Sequence, residues 1–155
     1  MKINSNKKNH FTQSTIGSDK EADILEKKAQ HLIHSLKKNF LKEATDALTH
    51  MQKALDDTAF LSQSEKDRLL KTLFFQTVHD LKGQGSTYGY PLITKIATHD
   101  CFIIQSKKSF SQTNIDNFKL DILDMQALLK EENLSNKSAL AKKIIKRLET
   151  YHDNS

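Results

Sequence analysis

Apolar residues recur at every third or fourth position along most of this chain, and very few residues interrupt the pattern. Gly and Pro are the residues that break a helix through backbone chemistry, and the 155 residues hold 4 of the first and 1 of the second. Strand-favouring runs of Val, Tyr and Trp are missing. A period near 3.6 with so few breakers points to an all-α chain.

Residues 1–18 are polar and aperiodic and read as a disordered basic tail, after which Ser18 or Asp19 is placed to cap a helix. The first apolar stripe passes through Leu25, Leu32, Leu36, Phe40, Ala44, Leu48, Met51 and Leu55. It fits one helix to about Asp57, or two with a break near Lys38–Asn39. Ser62 or Ser64 restarts a helix, with Glu65 in its first turn and a core face of Leu70, Phe74, Val78 and Leu81. Gly83, Gly85 and Gly89, with Pro91, mark its end. The next helix spans about Tyr90 to Lys107. Ser111 or Thr113 opens another, and Asn136 or Ser138 the last. Amphipathic helices on short connections predict an antiparallel up-and-down four-helix bundle with additional terminal helices, in one domain over residues 19–152. Asp100 falls on the apolar face of its helix, where an ionised carboxylate is costly unless paired.

No apolar run approaches the ~20 residues of a membrane span, and the N-terminus lacks the apolar stretch of a signal peptide. The single Cys101 cannot form an internal disulfide, so a reducing, cytoplasmic setting is expected. The net charge of +5 owes much to Lys2, Lys7 and Lys8, and no nucleic-acid motif accompanies it. Neither membrane nor nucleic acid is expected as a partner. His31 and His34 stand one turn apart without an evident third ligand, so no metal site is predicted.

The stretch 74–94, FFQTVHDLKGQGSTYGYPLIT, carries the chemistry. At 100° per residue, Leu70, Phe74, Val78 and Leu81 fall within an arc of roughly 80° that must face the core. His79 lies about 160° from Leu81 on that wheel and therefore faces water. A solvated imidazole near neutral pH offers a free nitrogen to an electrophile. Gln76, Gly83 and Ser86 share its side, and Phe75 and Lys82 flank it. Lys82 supplies an ammonium for a phosphoryl oxygen. Gly83 clears the surface one turn above the imidazole, at a cost of about 1 kcal/mol relative to Ala. Taken alone, an exposed histidine is ordinary polar surface; the joint spacing singles this one out.

That spacing, His79-Asp80-Leu81-Lys82-Gly83 with Gly89 ten residues after the histidine, resembles the histidine-containing phosphotransfer domain family. Residues 39–55, NFLKEATDALTHMQKAL, look like that family's preceding helix, and the resemblance covers roughly residues 36–130. It implies a four-helix bundle in which His79 accepts a phosphoryl group from a receiver-domain aspartate and passes it to another receiver. It implies Lys82 as the stabiliser of the phosphohistidine, and Phe75, Gln76, Gly83 and Ser86 as partner contacts. The partners expected are response-regulator receiver domains and a hybrid histidine kinase. The receiver brings the Mg²⁺, and the chain needs no cofactor of its own. Autokinase activity is not expected, because no Gly-rich nucleotide loop is present. A monomer is expected. The alternative is a non-catalytic bundle that binds receivers or another regulator without being phosphorylated.

Overall fold

The computed structural model describes residues 5–131 and 138–153, with side chains over 17–131 and 138–150. Each regular element among them is helical. In order they are α1 (Ser5–Asp56), a 3-10 turn (Asp57–Phe60), α2 (Gln63–Leu69), a π turn (Leu70–Phe74) and α3 (Phe75–Gln84). A second 3-10 turn (Ser86–Tyr88) leads to α4 (Pro91–Ser106), α5 (Gln112–Lys130) and α6 (Ala139–Asp153). The all-α class expected from the periodicity is the class observed. None of the helices among the described residues is long and apolar enough to cross a membrane.

Two compact units divide the chain, residues 1–39 and 40–155, so the domain expected over 19–152 spans both. In the first unit Ile24, Leu25, Leu32, Ile33 and Leu36 are exposed on α1. The helix runs unbroken through Lys38–Asn39, where the sequence admitted a break. It also runs through Ser18 and Asp19, where a cap was expected. Residues 5–56 contain no proline and only Gly17 as glycine, so nothing there ends a helix, and a capping side chain has no free amides to serve. Of the tail expected over 1–18, residues 5–18 belong to α1, and 1–4 lie outside the described residues.

The second unit buries one stripe from each long helix. Phe40, Ala44, Leu48, Met51 and Leu55 come from α1, and Leu70, Phe74, Val78 and Leu81 from the segment ending in α3. Ile93, Ile96 and Ile104 come from α4, Ile115, Phe118, Ile122, Met125 and Leu128 from α5, and Ile144 and Leu148 from α6. Each of these side chains larger than Ala44 contributes roughly 1.5–3 kcal/mol. Phe74 lies with its ring centroid 4.8 Å from that of Phe118, and truncating it to Ala costs about 3–5 kcal/mol.

Local chemistry sets the helix ends. Ser62 accepts from the Glu65 amide while the Glu65 side chain accepts from the Ser62 amide, a reciprocal cap for α2. Ser111 and Asn114 do the same for α5, and Ser138 accepts from the Ala141 amide at 3.0 Å at the start of α6. Asn136 lies outside the described residues. Asp67 ties α2 to the segment before α5, accepting from the Phe110 amide at 2.9 Å and the Ser109 hydroxyl at 2.8 Å. Asp100 is wholly buried on α4, as its register requires.

Candidate functional site

His79 projects from α3 because its neighbours cannot. Val78 and Leu81 are buried, which rotates His79 and Lys82 outward. The His79 side chain is 61% exposed. A π turn stands just before this helix: the Phe75 amide donates to the Leu70 carbonyl five residues back. Within that turn the Thr72 hydroxyl donates to the Arg68 carbonyl at 2.6 Å, a bond that competes with the regular amide ladder. Such single-turn widenings accompany functional sites in many helices.

Two side chains approach the imidazole, and a third holds one of them. The Phe75 ring centroid lies 5.8 Å from it at a tilt of 35°. Phe75 is half-buried, so one edge packs and the other stays wet. Gln76 Nε2 donates to Asp80 Oδ1 at 2.9 Å, and that oxygen lies 4.0 Å from His79 Nδ1. The separation is too long for a hydrogen bond.

Lys82 and Gly83 are exposed, and a Cβ built at Gly83 meets nothing within 4 Å. Beside Phe75 a shallow hollow of about 310 Å³ is lined by Lys71, Phe75, Ile104, Gln105 and Lys107. Lys71 and Lys107 thus bring two ammonium groups to a hollow of mixed polar and apolar lining beside Phe75.

No family model, curated protein or solved structure matches the chain.

The end of α3 is built differently from its middle. Gly85 is buried against α4, and a Cβ there would stand 2.6 Å from Thr94 Oγ1 and 3.0 Å from both the Thr94 amide nitrogen and the Tyr90 carbonyl. This close approach lets Thr94 Oγ1 accept from the Ser86 amide at 2.8 Å, with the Ser86 hydroxyl 3.0 Å away. Gly89 then turns the chain at φ 88°, a left-handed conformation that favours glycine. Pro91 begins α4, where its missing N–H costs nothing.

Of the residues singled out in the sequence, His79 and Phe75 therefore come together, Gln76 reaches the site only through Asp80, and Lys82 and Gly83 stand exposed on the next turn. Ser86 differs, because its amide and hydroxyl are both engaged by Thr94. Asp80 was present in the motif without a role. Its spacing of four from Gln76 was the available signal, since such pairs meet on a helix surface. Thr94 carried no signal, because its contacts cross a turn whose path only the folded chain fixes. Cys101 is buried, and that burial pushes its thiol up, with Lys82 acting in the opposite sense.

Proposed function

We propose that this chain is a phosphotransfer protein in which Nε2 of His79 takes a phosphoryl group from the aspartyl phosphate of a receiver domain and passes it to the aspartate of another. In this reading the helices of residues 40–155 make the antiparallel four-helix bundle of histidine-containing phosphotransfer domains. The single observation that carries the reading is the placement of His79, well exposed on a helix whose opposite face is buried, with open space above Gly83 one turn on.

The Nε2 lone pair attacks phosphorus in line with the aspartyl oxygen. The N–P bond forms as the P–O bond breaks, aspartate leaves as carboxylate, and the ring keeps the proton on Nδ1. Asp80, held by Gln76, places a carboxylate on the Nδ1 side of the ring. Lys82 places an ammonium beside the phosphoryl oxygens. Phe75 and the basic hollow beside it give the receiver an apolar and electrostatic seat, and the absent side chain at Gly83 lets its surface come close to the ring. The receiver supplies Mg²⁺ for the reacting phosphoryl group, and a hybrid histidine kinase is the natural source of that group.

Treatment of the full chain with phosphoramidate, followed by tandem mass spectrometry under alkaline conditions, tests the acceptor. An acid-labile phosphoryl group on His79 in preference to the other six histidines of the chain is expected. A chain that stays unmodified, or one labelled indiscriminately on its exposed histidines, would leave only a receiver-binding bundle.

A further inference from the structure

We propose that His99, Asp100 and Asp121 bind one first-row divalent metal ion of the Zn²⁺ class, held between α4 and α5. His99 and Asp100 are adjacent on α4, Asp121 lies on α5, and one ligand atom from each falls within 4.8 Å of the others. A metal–ligand distance of about 2.1 Å brings such atoms to roughly 3.4–4.2 Å apart, so small side-chain rotations close the site. One imidazole with two carboxylates suits a borderline ion better than the all-oxygen sets taken by Ca²⁺ or Mg²⁺.

Asp100 is the independent sign of a ligand. It is wholly buried, and neither of its carboxylate oxygens meets a hydrogen-bond donor in regular geometry among the described residues. Its neighbour is the Asp121 carboxyl, also buried. Two carboxylates share such a place only with a proton or a cation between them.

The charge balance fits an ion of +2. Arg147 on α6 donates through Nη2 to Asp121 Oδ1, and to Asp124 Oδ2 through Nε at 3.0 Å and Nη2 at 2.6 Å. Three carboxylates thus face one guanidinium, leaving a surplus of two negative charges when all are ionised. Access is available too. His99 lines a cavity of about 720 Å³ whose walls include Lys95 and Phe102 of α4 and Ile145 and Glu149 of α6. Of the three ligands, His99 is the one that borders this open space.

The test titrates chelator-treated full-length protein with ZnCl₂ by calorimetry and follows thermal unfolding with and without the ion. One saturable ion per chain and a higher Tm are expected. Asp100→Asn and His99→Gln should each weaken binding by about tenfold or more, and Asp100→Asn should not lower the Tm of the metal-free protein. A variant lacking His31 and His34 should bind as the wild type does. The proposal is overturned by the absence of saturable binding, by unchanged binding in Asp100→Asn, or by loss in the His31/His34 variant. If Asp100→Asn does not fold, His99→Gln decides, and unchanged binding there also overturns it. None of these outcomes depends on His79.

Discussion

Two glycines two residues apart should respond to alanine in opposite directions. Gly85 has φ −53° and ψ −56°, a helical backbone that Ala adopts without strain, so the cost of Gly85→Ala is purely one of space. Its Cβ would lie 2.6 Å from Thr94 Oγ1 and 3.0 Å from backbone atoms of Thr94 and Tyr90. Rotating Thr94 away relieves only the first contact. That rotation forfeits hydrogen bonding to the Ser86 amide and hydroxyl, at about 1 kcal/mol each. Moving the start of α4 instead is overpacking, which costs about 1–3 kcal/mol. Helix propensity returns at most ~1 kcal/mol. The net loss is about 1–3 kcal/mol, or roughly 3–10 °C in Tm for a chain of this size. At Gly83 the new methyl meets nothing within 4 Å, and Ala should stabilise by about 0.5–1 kcal/mol. Urea unfolding followed by far-ultraviolet circular dichroism measures both, with the two denaturant slopes compared to confirm a common unfolded state. Gly85→Ala as stable as the wild type, or Gly83→Ala clearly less stable, would refute this account of how α3 meets α4.

Other consequences concern transfer and acid stability. Lys82→Ala should shorten the lifetime of phosphorylated His79 or slow transfer several-fold while leaving the unfolding midpoint unchanged; equal kinetics would remove Lys82 from the site. Gly83→Glu should cut transfer from a receiver severely and affect phosphoramidate labelling far less, a split that equal rates from the receiver would contradict. For Asp67, burial acts to raise the carboxyl, but donation from the Phe110 amide, Ser109 and Gln63, aided by Lys71, lowers it below its usual 3.8. The ionised group therefore adds stability above that ordinary value, and the contribution is lost as pH falls through the lower folded value. Asp67→Asn should be less stable than wild type at neutral pH, with the gap closing in acid. A gap independent of pH would show that charge plays no part.

Much of the fold was legible because periodicity records burial directly. Leu70, Phe74, Val78 and Leu81 share an arc in the sequence and are all buried in the structure, which also puts His79 on the wet side. Capping is local chemistry, so Ser62 and Ser111 were each one of two readable candidates, beside Ser64 and Thr113, and each is the cap observed. The long reach of α1 was not readable: residues 5–18 form a helix there although their pattern has no apolar stripe, and an apolar stripe is the signal that periodicity reads. Leu25, Leu32 and Leu36 have the spacing of a core face and are exposed, since spacing states which residues share a side and not whether that side is covered. Gly85 was visible as a breaker but not as a packing residue, and Asp121 was invisible as the companion of Asp100. Both facts depend on how successive helices pack against each other across their connections, which periodicity within one helix does not record.

The central claim is that His79 is the phosphoryl acceptor, and transfer from phosphorylated receiver domains measures it most directly. A panel of receivers, each labelled on its aspartate, is mixed in Mg²⁺ with the wild-type chain and with His79→Gln. Label should move from at least one receiver to the wild type within the lifetime of the aspartyl phosphate, and should not move to His79→Gln. Both proteins should unfold at nearly the same temperature, because the side chain is solvent-facing. Label arriving equally on His79→Gln, or a variant whose Tm falls by many degrees, would contradict the claim.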